Sequence, residues 1–567
     1  MITRRWIFPT VDPRDCSTLA SLLSISPVMA SVLLARGITS KAQAEQWLSS
    51  DETLHDPLLL PDIEAAIDRL HRAVTGGESM CFYGDYDVDG MAATSLYVIF
   101  FQRLGANVRW YIPHRLRDGY GLNEGALEQL ASAGVTLLVT SDCGTTAHRE
   151  VAAAARLGLD VIITDHHQGE AGMPSAVAVL NPHRPDSHYP FKGLCSAGLA
   201  FKVVQAYCLK YVPESDDLDN LLDLVALATI ADVVPLQGEN RSFVRAGLMR
   251  MSQGTRCGIR ALKQVAGIDD VCTSATVAFR LAPRLNAAGR LAHADLGVRL
   301  LTTESDVEAF EIARRLEELN KERQGIEEET SAEASALVKD SAQRSAIVVS
   351  SRGWHLGVVG IVAARLVERY HRPAIVIAID EAGVGKGSAR SVPGFDLYQA
   401  LSQCAEYLEG FGGHPSAAGL TVLESRLPHF INTFSDIVSA WTRDTPSAPL
   451  LHVDAEVKLM EVRPQVIREL NRLHPCGAGN PEPLLASRRI SLLEARIIGD
   501  GHLKVVVRQQ GSMPFEAIGF RMGALLTEQR VLLDRPVDLA FTPELNRWSG
   551  LDRVQLRIAD IRAYGQA

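Results

Sequence analysis

The stretch Cys81 to Gly90, CFYGDYDVDG, ends a short apolar run in three aspartates spaced two apart, Asp85, Asp87 and Asp89, followed by a glycine and an apolar segment of helical character. Three carboxylates on one tight loop raise one another's pKa unless a cation neutralises them, so the loop calls for a divalent metal. An EF-hand calcium loop fits only in part: position 12 is Leu96 rather than a bidentate Glu, and a strand-like segment stands in front. An acidic turn that merely caps the following helix through its dipole remains the simpler alternative at this point.

Three further polar clusters follow apolar runs. After VTLLVT comes Ser141-Asp142-Cys143-Gly144-Thr145-Thr146, after DVIIT comes Asp165-His166-His167, and after LLDLVALATIA comes Asp232 before Pro235. Taken singly, Asp142 reads as a helix cap, His166 as a surface histidine and Asp232 as a turn residue. Four such clusters, each at the end of a predicted strand in one α/β unit, point instead to one shared site. Carboxylates with one or two imidazoles suit Mn²⁺ or Mg²⁺ better than zinc, and there are enough ligands for two ions. Two metals about 3.5–4 Å apart suit in-line hydrolysis of a phosphate ester.

The elements that must position these groups are legible in the pattern. From about 51 to 240, runs such as MCFYG, VRWYIP, VTLLVTSDCG, DVIITDHH and AVAVLNP alternate with helical stretches such as MAATSLYVIFFQRLG and HREVAAAARLG. That alternation predicts an α/β domain with a largely parallel sheet, whose ligand groups collect beyond the carboxyl ends of the strands. Ahead of it, SKAQAEQWLSS predicts a serine-capped amphipathic helix in a small helical lead-in. Between about 303 and 340 the charged run with Val307, Phe310, Ile312, Leu316, Leu319 and Ile326 predicts a long helix, with Ser305 and Glu308 as a capping box. It lacks the three or four sustained heptads of a coiled coil.

Composition sets the outer limits. With 567 residues, 47% of them hydrophobic, the chain should form several domains. Nine scattered cysteines, never in CxxC pairs, argue against a disulfide framework or a structural zinc site. MITRRWIFPTVDPRDC has no signal-like apolar core, and no run of about 18 uncharged apolar residues appears, so a cytoplasmic protein without a membrane span is expected. The net charge of −10 excludes an overall basic coat for nucleic acid but leaves room for a local basic channel.

GDYDVDG, SDCGTT, TDHH and ADVVPL, in this order, resemble the four motifs of the DHH phosphoesterase superfamily. RLAPRLNAAGRL, GWHLGVVGIVAARL, GKGSARS, FGGHPSAAG and HPCGAGNPEP narrow the resemblance to its RecJ family of single-strand-specific exonucleases. It spans about 55 to 567. The domains it implies are a helical lead-in (1–50), a parallel-sheet DHH catalytic core (51–300), a connecting helix (301–343), an α/β DHHA1 domain (344–445) and an OB-type β-barrel that binds nucleic acid (446–567).

The resemblance also implies roles. Asp85 and Asp87 match first-motif metal ligands, Asp142 a carboxylate bridging two metals, His166 a histidine ligand and Asp232 the last carboxylate. His167 would lie near the scissile phosphate, and Asp165 either orients a histidine or touches metal. Many members carry a histidine four residues before the first aspartate, where this chain has Cys81, so Asp89 or water is expected to complete one ligand set. GSARS has the chemistry of a phosphate loop, small residues with one Arg, and a GG turn lets backbone approach a ligand. Ser388, Arg390, Ser391, Gly413 and His414, with Arg280, Asn286, Arg290 and His355 from the other motifs, become expected DNA contacts. The implied activity is 5′ to 3′ hydrolysis of single-stranded DNA, threaded between the catalytic core and the DHHA1 lobe, to 5′-mononucleotides in recombination and repair. A monomer working with single-strand-binding protein and a helicase is expected. The rivals are a DHH–DHHA1 phosphodiesterase of short oligonucleotides or cyclic dinucleotides and a non-catalytic single-strand-binding relative.

After the Pro/Ser-rich TRDTPSAPL, runs such as LHVDAEVKL, HLKVVVRQQ and VQLRIADIRAY alternate as short strands, which predicts the barrel on pattern alone. Residues 451–567 hold 16 Lys and Arg against 14 Asp and Glu, and fourteen of the sixteen are Arg, which can both grip phosphates and stack on bases.

Overall fold

The structure, a computed structural model, describes residues 4–49, 54–115, 117–169, 172–214, 218–269, 271–340, 345–444, 449–528, 535–546 and 553–565. The expected boundaries at 50/51, 343/344 and 445/446, and Thr445 to Ala448 of the linker, lie outside the described residues. The chain divides into two compact units, Ser50–Gln324 with Pro475–Pro481, and Met1–Ser49 with Gly325–His474 and Glu482–Ala567.

In the first unit five parallel strands, Ser79–Gly84, Asn107–Tyr111, Leu137–Ser141, Asp160–Thr164 and Ala178–Leu180, lie in the spatial order second, first, third, fourth, fifth. Met80 and Phe82 face one apolar core, Cys81 and Tyr83 the other, so both faces are covered, as a parallel sheet requires. The order reverses between the first and third strands, and a doubly wound sheet opens its ligand crevice at that switch point. The helix Val88–Arg103, buried along most of its length, returns from the first strand. Gly90 is obligatory at its start, because a Cβ there would stand 2.5 Å from the backbone nitrogen and oxygen of Asp85.

The run LLDLVALATIA, predicted as a strand, is a helix, Leu222–Ala231. Its residues Asp223 through Ile230 are all buried, and a segment buried all round carries no period that tells helix from strand. Asp232 therefore stands at the C-terminal end of a helix, where the dipole is negative. The expected boundary at 300/301 falls inside the helix Asp295–Thr302, and the long helix runs Asp306–Asp340. Only half of its expected capping box forms: Ser305 Oγ accepts from Glu308 N, while the Glu308 carboxylate takes the Thr303 hydroxyl.

In the second unit, a mixed sheet places Gly410–Gly413, Ala417–Leu423, Val384–Arg390, Ala374–Ile379 and Ile347–Arg352 side by side, with only the last pair parallel. Leu485–Ile498, His502–Arg508, Phe515–Gly519, Arg553–Ala563 and Val537–Asn546 close into a five-stranded barrel when the last pairs with the first. LHVDAEVKL is not one barrel strand. Leu450–His452 pairs with Arg5–Ile7 and only Ala455–Glu456 joins the barrel, because Asp454 between them turns its carboxylate to Leu484 N and Arg36. The lead-in helices, including the Ser40-capped Lys41–Leu48, bury Leu19, Met29, Leu33 and Ala44 in one core with the barrel's Leu485, Val505 and Phe541.

In the first unit, Lys202 and Glu239, both fully buried, form an ion pair that pins the helix Ser196–Tyr211 to Gly238–Gln253, with Tyr189 and His55 N–H also on Glu239. Lys202→Met strands a buried carboxylate and is expected to cost about 3–5 kcal/mol in chemical denaturation. Adding Glu239→Gln, which keeps an oxygen acceptor without the charge, should recover part of the loss.

Candidate metal centre

Asp85, Asp142, Asp165 and Asn181 are the first residues past four adjacent strands. The ladder runs on through them: Asp85 N donates to Ser141 O, Asp142 N to Thr164 O and Asp165 N to Leu180 O, at 3.1–3.2 Å. In-register strands therefore deliver three carboxylates in a row to one sheet edge. Asp142 holds a left-handed φ of +69°, and Val233, beside Asp232, holds +61°. For β-branched Val233 that is strain of the kind concentrated at functional sites.

His166 Nε2 lies 3.2 Å from Asp142 Oδ1, 3.6 Å from Asp232 Oδ2 and 3.8 Å from Asp89 Oδ2. Asp85, Asp87 and Asp142 form a second group whose oxygens lie within 4.8 Å of one another. Burial, reinforced by the neighbouring carboxylates, pushes Asp85, Asp89 and Asp142 up, and Asp232 up to about 8. Asp85 Oδ1, His166 Nε2 and Asp232 Oδ2 are buried without a hydrogen-bond partner. Three unpartnered oxygen and nitrogen donors among repelling carboxylates are the donor set that Mn²⁺ or Mg²⁺ takes.

The three loop aspartates do different work. Asp87 Oδ1 caps its own helix through Asp89 N (2.9 Å) and Gly90 N (3.1 Å). Asp89 accepts Ser196 N (2.7 Å) and Ala197 N (2.8 Å), capping a helix whose own N-cap, Cys195, offers no side-chain bond. Asp85 alone keeps a buried oxygen unpartnered. The simple capping reading thus holds for two carboxylates and fails for the third. Cys81 packs with Leu138 and Ile163, and burial pushes its thiol up to about 12, which makes it a core group rather than a thiolate ligand.

His167 faces a different environment. Its Nδ1 meets Asp165 Oδ1 at 2.7 Å and lies 3.3 Å from the Tyr120 hydroxyl. Burial alone would lower its pKa, but the bond to Asp165 outweighs it and carries the ring to about 9. Asp165, although buried, is held far below its usual range by hydrogen bonds from His167 and Thr145. Tyr120, Thr145, Asn181 and Ser196, whose Oγ donates to Asp142 Oδ1 at 3.1 Å, were not singled out from sequence. The one signal for Asn181 was its place directly after AVAVL, the position the aspartates occupy after their own strands.

The expected DNA contacts are distributed over both units. In the first, Arg280 donates to the carbonyls of Ala266 and Gly267, so its guanidinium is already engaged. Gly289 packs on the metal loop, where a Cβ would stand 2.3 Å from Tyr86 O, and this brings the helix carrying half-exposed Asn286 and Arg290 to that loop. In the second, Arg390 donates to Ser388 Oγ (2.9 Å), Ser391 to Phe395 O (2.7 Å), and His355 Nδ1 caps Gly357 N. Gly413 (φ +142°) and His414 are exposed in the hairpin turn.

Comparison with known proteins decides the family. The DHH family N-terminal domain matches residues 79–229, the DHHA1 domain 343–440 and the RecJ OB domain 453–560. The single-stranded-DNA-specific exonuclease RecJ of Bacillus subtilis is 38% identical over 98% of this chain and 70% of that protein. The chain belongs to the RecJ family. A crystal structure of RecJ from Thermus thermophilus with Mn²⁺ superposes with a TM-score of 0.85 at 30% identity, covering 99% of this chain and 80% of that one. The Mg²⁺ complex from the same organism gives 0.79 at 30% identity over 99% and 79%. RecJ structures thus accommodate both ions expected for this donor set.

Carboxylates whose folded pKa is raised hold their protons more tightly in the native state. Without metal, the contribution of Asp232 is present below about pH 4 and is lost as pH climbs through about 8. Metal-stripped protein should therefore lose stability over that window. Mn²⁺ at 100 times its Kd should add about 2.7 kcal/mol, and protons compete with it progressively more as pH falls. Melting curves with and without Mn²⁺ at pH 5 and 8 test this. An equal metal-induced shift at both values would dissociate these carboxylates from metal binding.

Proposed function

We propose that this protein is a single-stranded-DNA-specific exonuclease that hydrolyses phosphodiesters with Mn²⁺ or Mg²⁺, working 5′ to 3′ and releasing 5′-mononucleotides in recombination and repair. The observation that carries the reading is the convergence of unpartnered Asp85 Oδ1, His166 Nε2 and Asp232 Oδ2 around Asp142 at the switch point of the sheet. Asp85, Asp87, Asp142, His166 and Asp232 would hold the metal, with two ions proposed and Asp89 beside them. Bound there, the metal supplies Lewis-acid polarisation of the phosphate and a water of lowered pKa.

The chain's own residues do the rest. Burial keeps His166 below its ordinary pKa, so that a neutral ring offers its Nε2 lone pair. His167, with Nδ1 committed to Asp165, holds a proton at Nε2 that can bond a phosphate oxygen or pass to the leaving O3′. Arg390, Ser388 and His414 are proposed to grip phosphates further along the strand, with the barrel as a further nucleic-acid contact. The barrel argues against a short-oligonucleotide phosphodiesterase, and the retained donor set against a non-catalytic relative. Among the described residues no single helix is long and apolar enough to cross a membrane. A monomer in the cytoplasm, partnered by single-strand-binding protein and a helicase, completes the proposal on the strength of the resemblance.

Comparing 5′-labelled, 3′-labelled and duplex DNA with Mn²⁺ tests polarity, strandedness and metal need together. Asp142→Ala should abolish cleavage, a loss of at least about 10³-fold, while single-strand binding largely survives. Full activity in that variant would sink the metal-centre reading. Arg390→Ala should weaken binding uniformly across sequences and make its dependence on salt shallower by about one unit of slope. An unchanged slope would remove Arg390 from the phosphate contacts.

A further inference from the structure

Along the sheet edge the series of first residues past the strands reads Asp85, Asp142, Asp165, Asn181, and the amide in fourth place is as buried as the acids. Asn181 Nδ2 donates to His167 O (2.8 Å) and to Thr145 Oγ1 (2.9 Å), while its Oδ1 accepts from His183 N (2.8 Å). This orientation is forced: a backbone carbonyl can only accept and a backbone N–H can only donate. Thr145 in turn gives its N–H to Asp165 Oδ2 (2.9 Å), and Asp165 Oδ1 takes both His167 N (3.2 Å) and His167 Nδ1 (2.7 Å).

The bonds close a loop through four residues, Asn181 to His167 to Asp165 to Thr145 and back to Asn181. His167 is held at its carbonyl, its N–H and its ring. A carboxylate of the same shape at 181 could not donate to the His167 carbonyl, which explains why the row of acids ends in an amide.

We propose that Asn181, acting with Thr145, is a positioning residue that fixes the His167 backbone and thereby aims its imidazole at the phosphate. The proposal rests on the exonuclease reading for the task His167 performs, but the clamp itself is independent of that reading. Groups that orient a functional histidine in this way typically carry about 10–100-fold of the activity when removed.

The test uses the full chain with Asn181→Asp, Thr145→Val and Thr145→Ser. Asn181→Asp and Thr145→Val, confirmed as folded at the assay temperature by circular dichroism, should lose about 10–100-fold in kcat on single-stranded DNA. Their KM, and their Mn²⁺ affinity by calorimetry, should stay within about threefold. Thr145→Ser, which retains the oxygen, should restore most of kcat, and a crystal structure of Asn181→Asp should show the His167 carbonyl and ring displaced. Unaltered kcat in folded Asn181→Asp and Thr145→Val would overturn the assignment. So would equal losses in Thr145→Ser and Thr145→Val, which would reveal a packing role. Absence of metal-dependent cleavage by the unmutated protein would defeat the exonuclease reading alone, since the position of His167 in Asn181→Asp still decides whether the clamp exists.

Discussion

Crowding of carboxylates at one edge of a parallel sheet is the constraint on which the rest of the catalytic unit depends. In-register strands must end level for Asp85, Asp142 and Asp165 to stand in a row, and each of their N–H groups is tied to a neighbouring strand's carbonyl. The repulsion this creates is intrinsic to the site, since relieving it by spreading the acids would also disperse the metal donors. The surroundings bear the cost: φ of +69° at Asp142 and +61° at Val233, each worth about 1–3 kcal/mol, persists only where packing over-determines the backbone. Gly90 and Gly289 supply that packing by letting a helix start and a second helix close on the loop with no Cβ between.

The loop meets this constraint by dividing labour. Asp89 gives both oxygens to the N-terminus of Ser196–Tyr211, so one buried charge is matched by a helix dipole. That helix is itself anchored by the buried Lys202–Glu239 pair, and Ser196 at its start also reaches Asp142. Asp87 steadies its own helix, and Asp85 is left with its unpartnered oxygen. A triplet of identical residues thus holds two helices and still groups Asp85 and Asp87 with Asp142 as candidate ligands, and each carboxylate's role follows from where its backbone points.

Much of this was legible because local pattern and chemistry coincide. Strand-like runs ending in Asp85, Asp142 and Asp165 could be placed on a sheet edge from periodicity alone, and the barrel followed from short alternating strands. Asp232 does lie 3.6 Å from His166 Nε2, but at the end of a helix rather than a strand, since a mostly apolar run buried all round has no face to betray its period. The lead-in gave no hint that Arg5–Ile7 pairs with Leu450–His452, because pairing across more than 400 residues leaves no local trace. Asn181, Thr145 and Ser196 escaped for a related reason: single polar residues acquire meaning only from partners supplied by other strands and helices.

The two adjacent histidines show how far environment outweighs residue type. His166 and His167 are adjacent in the chain, yet burial lowers the first despite the acids around it, whereas a direct bond to Asp165 raises the second to about 9. A neutral ring beside Asp142 and Asp232 is what a metal needs, and a protonated ring a few ångströms away is what a phosphate needs. Exchanging the two environments would put a cation where the metal belongs and a bare lone pair against an anionic substrate. The distinction rests on Asp165 being turned away from the carboxylate cluster and toward His167, where hydrogen bonds from Thr145 and His167 hold it ionised. Asp85 and Asp142 repel, while Asp165, one strand further along the same edge, is neutralised by its own partner, so the electrostatic boundary between the carboxylate cluster and the proposed proton donor runs through the loop after the fourth strand, between His166 and His167.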